Sequence, residues 1–233
     1  MSSVERVAER LNDVRARVRA ACARSGRDPA SVELLGISKR QPISRVREAL
    51  DAGLRVLGEN QIQEAVAKSA ELPVDVVWHF VGHLQSNKVK AAVRLFDAIH
   101  SIDRLKIARR LDLEAARQDK VVQGFIQVNL GNEPSKSGYP LEGLFDAIKP
   151  LADLEHLQIV GLMALPPYED SLDEARGWFR KLRELRDEMA SRNEWHGFQG
   201  LLSMGMSHDF ETAIEEGATH VRVGTSIFGR RPA

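Results

Sequence analysis

A lysine at the end of a short apolar stretch is the first residue whose position suggests chemistry. The stretch runs from Leu34 to Lys39, and its apolar residues are too few for a helix but suit a buried parallel strand. Lys39 then lies at the carboxyl end of that strand, where α/β folds bind their ligands. A lysine in that place can attack a carbonyl group, or it can be a solvated side chain that opens a loop.

Two clusters of glycine and hydroxyl residues late in the chain can bind an anion. Ser203 to Ser207 accompany the end of the predicted seventh strand, and Gly224, Thr225 and Ser226 follow the predicted eighth. The loops after these two strands often hold a phosphate in barrel folds, although each cluster alone is also an ordinary turn. With Lys39 across the same barrel mouth, they suit a phosphorylated carbonyl compound. Two ligands meet that description: a sugar phosphate, as in class I aldolases, and pyridoxal 5'-phosphate (PLP).

Arg222 bears on the choice between these two ligands. It precedes Gly224 by two residues, so the alternation of a strand puts both on one face, within reach of a ring held between lysine and phosphate. A permanently cationic donor that faces a pyridine nitrogen keeps that nitrogen unprotonated, which makes the ring a poor electron sink. The alternative interpretation of Arg222 is a structural ion pair.

The elements that must position these residues alternate regularly between strand and helix. The predicted strands span residues 34–38, 54–57, 76–80, 95–99, 125–129, 157–163, 200–204 and 220–223. An amphipathic helix with Val7, Leu11, Val14 and Val18 on one face precedes the first strand. Eight strand-helix units predict a (β/α)8 TIM-type barrel with an extra N-terminal helix, and the short connections favour it over a doubly wound sheet. We expect residues 1–233 to form a single domain.

Composition narrows the classes of partner. The 233 residues contain 33 Lys plus Arg and 33 Asp plus Glu, so no net charge favours nucleic acid or an anionic membrane. No apolar run approaches the ~18 residues of a membrane span, and the first residues lack an apolar signal region. The single Cys22 fits a reducing cytoplasm. We therefore expect a cytoplasmic monomer that binds neither nucleic acid nor membrane.

Two other possible sites are less favoured by the sequence. His79 and His83 are four residues apart, but the intervening strand-to-loop context is unlike a helical metal pair. His208 beside Asp209 is unlike a catalytic triad, because adjacent residues on a helix point apart. The sequence predicts no metal site.

Several longer motifs make a resemblance to a known family specific. They are Ile37-Ser38-Lys39, Gly58-Glu59-Asn60 with Gln63-Glu64, Trp78-His79-Phe80-Val81-Gly82-His83-Leu84-Gln85-Ser86-Asn87-Lys88, Ser135-Lys136-Ser137-Gly138, Gly161-Leu162-Met163, Leu202-Ser203-Met204-Gly205-Met206-Ser207 with Asp209, and Val221-Arg222-Val223-Gly224-Thr225. In this order, over nearly the whole chain, they resemble the pyridoxal phosphate homeostasis protein family (YggS/PROSC type). Arg40, where the family often has a small hydroxyl residue, and Val81, in place of isoleucine, depart from its pattern.

The resemblance implies a cofactor and its binding residues. It implies a barrel of the alanine racemase N-terminal-domain type, with PLP as an internal aldimine on Lys39 and Arg222 facing the pyridine nitrogen. Ser207 with the Gly224 and Thr225 backbone is implied to bind the phosphate, and Asn60 to line the ring pocket. Lys136 matches a lysine suggested as a secondary PLP contact, although a solvated loop lysine is the simpler interpretation. Members of the family are similar to PLP carriers or buffers, with PLP-requiring apoenzymes as recipients.

The sequence favours a carrier over its main alternative, a PLP-dependent amino-acid racemase. A racemase needs a second acid or base on the other face of its substrate, and the predicted barrel uses the whole chain. The two tyrosines, Tyr139 and Tyr168, are predicted in loops after strands five and six. Arg222 would also weaken the electron sink, so we expect PLP binding without established turnover.

Overall fold

The computed structural model describes residues 3–167 and 171–230. Its strands are Glu33–Ile37 (β1), Val56–Glu59 (β2), Val77–Phe80 (β3), Ala98–Ile102 (β4), Val122–Asn129 (β5), Tyr139–Pro140 (β6), Leu157–Ala164 (β7), Leu201–Met206 (β8) and His220–Val223 (β9). They form one parallel sheet in the order β4-β3-β2-β1-β9-β8-β7-β5-β6, and β4 also pairs with β5. That last pairing closes eight strands into a barrel. The (β/α)8 prediction is therefore confirmed, and the doubly wound alternative is wrong.

Several predicted strand boundaries differ from the observed ones: β2 lies two residues later than predicted, and β5 begins three residues earlier, at Val122. The fourth strand begins at Ala98, because Leu95 is the last residue of a helix whose apolar pattern continues from Val89. Short apolar runs fit either element, so the boundary between them is poorly determined by periodicity alone. The irregular stretch 131–140, which follows the predicted fifth strand, contains the additional strand β6, which pairs with β5 and lies outside the closed ring.

Helices cover the outside of the barrel. Among the described residues they are Ser3–Arg24 (α1), Ile43–Asp51 (α2), Ile62–Ser69 (α3), Val89–Leu95 (α4), Leu105–Arg117 (α5), Leu144–Ile148 (α6), Leu172–Arg192 (α7), Phe210–Glu215 (α8) and Thr225–Phe228 (α9). The predicted extra helix is α1, which packs on α2, α8 and α9 through its buried apolar stripe. None of these helices is long and apolar enough to cross a membrane.

Two hydrophobic clusters stabilise the barrel from different sides. The larger cluster fills the space between strands and helices and includes Cys22, whose thiol is free and fully buried. Burial raises the pKa of the Cys22 thiol, which fits a packing role. A smaller cluster, Ala98, Phe125, Val160 and Met163, packs separately. Polar side chains are buried as well, and burying a polar group is costly unless it forms a hydrogen bond.

Candidate functional site

A cavity of about 520 Å³ brings all six predicted site residues together. Lys39, Asn60, Ser207, Arg222, Gly224 and Thr225 all line it. All of these residues except Arg222 follow the carboxyl ends of β1, β2, β8 or β9, which is where a barrel places its ligand site. The volume lies within the range of small-molecule sites, roughly 300 to 1,000 Å³.

The turn that carries Lys39 is held by a buried ion-pair network. Lys68, on α3, donates from Nζ to the Ser38 carbonyl oxygen at 2.6 Å and to carboxylate oxygens of Glu59 and Glu64 at 2.7 Å each. Glu64 Oε1 also accepts from the Arg40 backbone N–H at 2.6 Å. Lys68 and Glu64 thus fix the backbone on both sides of Lys39, and Glu59 anchors Lys68.

Glu59 is the most deeply buried member of this network. Its carboxylate is fully buried and accepts a hydrogen bond from the Ser38 hydroxyl at 2.6 Å. Burial raises the pKa of Glu59, while the hydrogen bonds from Lys68 and Ser38 oppose that rise. The family motif includes Glu59 and Glu64, but the sequence analysis missed Lys68. Its i, i+4 relation to Glu64 on α3 was the available signal.

The anion-binding loops after β8 and β9 are joined to each other. The Gly224 backbone N–H donates to Ser207 Oγ at 3.2 Å, and Ser226 Oγ donates to the Ser207 carbonyl oxygen at 3.4 Å. Asp209 stabilises the loop after β8, because its Oδ1 accepts a hydrogen bond from the Met206 backbone N–H at 2.6 Å. Ser207, Gly224 and Thr225 therefore line the cavity together at the start of α9, and hydroxyl and backbone N–H groups of this kind can bind an anion.

Arg222 lies at the cavity wall with its guanidinium buried. Nη1 donates to Ser203 Oγ at 2.7 Å, and Nη2 donates to the Ala164 carbonyl oxygen at 2.9 Å. Desolvation lowers the pKa of Arg222 to about 10, which leaves it cationic at neutral pH. A hydroxyl and a carbonyl, rather than a carboxylate, accept these hydrogen bonds, so the predicted alternative of a structural ion pair does not describe its contacts.

A close backbone approach forms the wall beside Asn60. A Cβ atom added to Gly82 would lie 2.3 Å from the Asn60 carbonyl oxygen, so only glycine fits there.

Cationic side chains and imidazoles line the cavity, and none of its described lining residues is aspartate or glutamate. The residues present therefore fit an anionic ligand with a group that reacts with an amine.

Of the other residues considered in the sequence analysis, Lys136 lines the cavity and Tyr139 does not. Lys136 lines the cavity and contacts the Pro166 carbonyl oxygen at 3.1 Å and Glu133 Oε1 at 2.7 Å. Tyr139 does not line it: its side chain is buried in the larger hydrophobic cluster, and desolvation raises the pKa of its hydroxyl to about 12. Tyr168 lies outside the described residues. No described group of His, Cys, Asp and Glu is arranged to hold a metal ion.

Comparison with known proteins identifies the family. Residues 10–232 match the model of the alanine racemase N-terminal domain. The pyridoxal phosphate homeostasis protein of Aquifex aeolicus is 44% identical over 224 residues, which cover 96% of this chain and 97% of that protein. The chain belongs to the pyridoxal phosphate homeostasis protein family.

Solved structures agree with this membership. PipY of Synechococcus elongatus, solved with PLP bound, has a TM-score of 0.84 and 38% identity, covering 96% of this chain and all of that one. An alanine racemase of Clostridium difficile shares the fold with a TM-score of 0.70 and 11% identity, and this chain covers 57% of its length. The sequence-based assignment to the pyridoxal phosphate homeostasis protein family is thus confirmed, and the racemases share its barrel.

The two departures from the pattern of the pyridoxal phosphate homeostasis protein family take different positions. Arg40 has a left-handed backbone (φ 56°) and an exposed side chain, and its backbone N–H is the part bound by Glu64. Val81 lines the cavity beside Gly82, so the smaller side chain bears directly on cavity shape.

Proposed function

We propose that this chain binds PLP and acts in intracellular PLP homeostasis as a carrier or buffer, with PLP held as a Schiff base on Lys39. The observation that supports this proposal most strongly is that one cavity is lined by Lys39, by Arg222 and by the hydrogen-bonded pair Ser207 and Gly224. The curated relatives named for PLP homeostasis and the PLP-bound PipY structure support it. When bound, PLP supplies an electrophilic aldehyde, a phosphate and an electron-withdrawing ring.

Each lining residue has a defined role in this proposal. The Lys39 amine replaces the aldehyde oxygen of PLP, which leaves as water. Ser207, Gly224 and Thr225 donate hydrogen bonds to the phosphate, and Asn60 contacts the ring. Arg222 presents a cation to the ring nitrogen and so keeps protons from it.

Arg222 also favours a carrier over an amino-acid racemase. A racemase must stabilise a carbanion, which a protonated pyridine nitrogen does best, whereas a fixed guanidinium disfavours that protonation. The proposal includes residues 1–233 as one PLP-binding barrel domain, a cytoplasmic location, a monomeric state, and PLP-requiring apoenzymes as the recipients of PLP.

Borohydride trapping tests the covalent part of the proposal. We expect purified protein to be yellow, and reduction followed by peptide mass spectrometry to place the pyridoxyl group on Lys39. Lys39→Ala should abolish the adduct, while Lys136→Ala, the other lysine at the cavity, should keep it. A colourless wild type that rejects added PLP, or an adduct elsewhere, would overturn the proposal.

Exchange of the α-proton separates carrier from racemase. The PLP-loaded protein is incubated in D₂O with single free L-amino acids, and deuterium incorporation and chirality are followed by NMR and chiral chromatography. The carrier proposal predicts exchange no faster than with free PLP. Robust exchange that disappears in Lys39→Ala would instead establish the racemase.

A further inference from the structure

A chain of buried hydrogen bonds leads from Arg222 across the barrel interior. Arg222 Nη1 contacts Ser203 Oγ at 2.7 Å, Ser203 Oγ contacts His100 Nδ1 at 2.7 Å, and His100 Nε2 contacts His79 Nδ1 at 3.0 Å. These side chains come from β9, β8, β4 and β3, and each is at most 6% exposed. Partners up to 103 positions apart in sequence are thus linked, and the chain runs from Arg222 at the cavity wall into the barrel interior.

The direction of every hydrogen bond in this chain is determined by its first member. A guanidinium only donates, so Ser203 Oγ accepts from Arg222. The Ser203 hydroxyl is fully buried, and its hydrogen has His100 Nδ1 as its one described acceptor, so we assign that nitrogen as the acceptor. Burial lowers the pKa of His100 well below its usual value, so the ring is neutral and its one hydrogen is on Nε2. His79 Nδ1 accepts that hydrogen.

We infer that Ser203, His100 and His79 are positioning residues that fix the orientation of the Arg222 guanidinium through hydrogen bonds donated in one direction, from Arg222 to Ser203, from Ser203 to His100 and from His100 to His79. The inference rests on the proposed function for its consequence, because Arg222 faces the ring of PLP only if PLP binds. The chain itself is a property of the protein alone.

The contacts of the guanidinium explain why such a chain has an effect. Arg222 is anchored on two sides, by the Ala164 carbonyl oxygen of β7 and by Ser203 of β8. The backbone carbonyl is fixed by its strand, whereas a serine hydroxyl can rotate. His100, packed against Phe125 with ring centroids 4.1 Å apart, stops that rotation. His79 in turn accepts from His100 and selects its tautomer.

Nitrogen NMR of cofactor-free protein tests the chain directly. With ¹⁵N-labelled histidine, we expect His100 to be protonated on Nε2 alone, with a through-hydrogen-bond N–N coupling to His79 Nδ1. Ser203→Ala should shift the His100 Nδ1 resonance, and Ser101→Ala, a buried serine on the same strand as His100, should leave it unchanged. A wild-type His100 protonated on Nδ1, or the absence of this coupling, would overturn the inference. This readout does not require PLP, so it stands even if the proposed function fails.

A double-mutant cycle then tests whether Ser203 acts through Arg222. We expect Ser203→Ala to speed PLP release roughly 3- to 10-fold and to shift the absorption band of the bound cofactor. In an Arg222→Gln background, Ser203→Ala should alter the rate of PLP release by less than about 2-fold. Ser101→Ala controls for loss of a buried hydroxyl and should leave both unchanged. Equal effects of Ser203→Ala in both backgrounds would show a merely structural role and overturn the inference, and thermal midpoints of the apoproteins report folding separately.

Discussion

Ser207 joins the two loops that form the anion end of the cavity. Its hydroxyl accepts from the Gly224 backbone N–H at 3.2 Å and lines the space where the phosphate is proposed to bind. Ser207→Ala removes a donor to that phosphate and leaves the Gly224 N–H without this partner. We expect PLP to bind roughly 10-fold more weakly, since one hydrogen bond to a charged group contributes about 1.5 kcal/mol. Titration of the apoprotein with PLP measures this affinity. Ser191→Ala, at an exposed position on α7, should leave it unchanged. Unchanged affinity would remove Ser207 from the site.

Gly82 determines how closely the β3 loop approaches Asn60. Because an added Cβ would lie 2.3 Å from a backbone oxygen, Gly82→Ala must displace the wall of the cavity. We expect it to lower the free energy of unfolding by about 1 to 3 kcal/mol and to weaken PLP binding. Gly177→Ala on α7, where an added Cβ has nothing within 4 Å, should instead raise stability by roughly 0.5 to 1 kcal/mol. Urea denaturation compares the two, and a Gly82→Ala protein as stable as wild type would contradict the expected clash.

Residues at strand ends were easier to predict than residues inside the barrel. Lys39 and Gly224 follow apolar runs, so their position at the mouth follows from the local pattern. Ser203 and His100 are 103 positions apart, and their contact depends on the register of strands across a closed barrel. No local periodicity carries that information. The available signal was the presence of polar residues inside short strands, which must find partners when buried.

The turn after β1 depends on α3 for its shape. Lys68 contacts the Ser38 carbonyl oxygen and two carboxylates, so Lys68→Met leaves the buried Glu59 without its cation. Breaking a buried pair in this way costs about 3 to 5 kcal/mol. We expect urea denaturation to show a loss of that size, and PLP occupancy to fall because the backbone beside Lys39 is released.

A second substitution tests the origin of that loss. Glu59→Gln combined with Lys68→Met removes both charges and should recover part of the stability, since residues in one network are coupled. Asp13→Ala, which removes the exposed partner of Arg17 on α1, should change stability by no more than about 0.5 kcal/mol. If the double variant is as unstable as the sum of its single variants, the ion pair is not what holds the turn.

Element order was more predictable than element boundaries. The strand His220–Val223 was predicted with its observed bounds, because a glycine precedes it and another glycine follows. The β4 boundary failed where a helix and a strand share one apolar run with no glycine or proline between them. β6 was missed because two residues in a loop have no period to detect. Pairing with the neighbouring strands decided these cases.

Across the whole molecule, three histidines make the folded state sensitive to acid. His79, His100 and His220 lie together in the barrel, with ring centroids 5.0 to 5.9 Å apart. Desolvation lowers the pKa of His79 to about 4 and that of His220 to about 3, and it lowers the pKa of His100 as well. In the unfolded chain these rings titrate near 6.5. Above that pH both states are neutral, and the histidines add no pH dependence. Below it the unfolded chain binds protons that the folded barrel excludes.

The free energy of unfolding should therefore fall as the pH is lowered from about 6.5 toward 4. At pH 5 each of His79 and His220 lowers the free energy of unfolding by about 2 kcal/mol, because pH 5 lies about 1.5 units below the histidine pKa of the unfolded chain. Urea denaturation at pH 7.5 and 5.0 measures the total change in the free energy of unfolding, in which Glu215, with a lowered pKa, adds to the loss and Glu59, with a raised pKa, opposes it. His220→Gln removes one titrating ring and leaves those carboxylates in place. Its free energy of unfolding should therefore fall by about 2 kcal/mol less between the two pH values than that of wild type. His196→Gln, at an exposed position, should lose as much as wild type. Equal losses in wild type and His220→Gln would mean that the ring of His220 takes up its proton in the folded barrel as readily as in the unfolded chain.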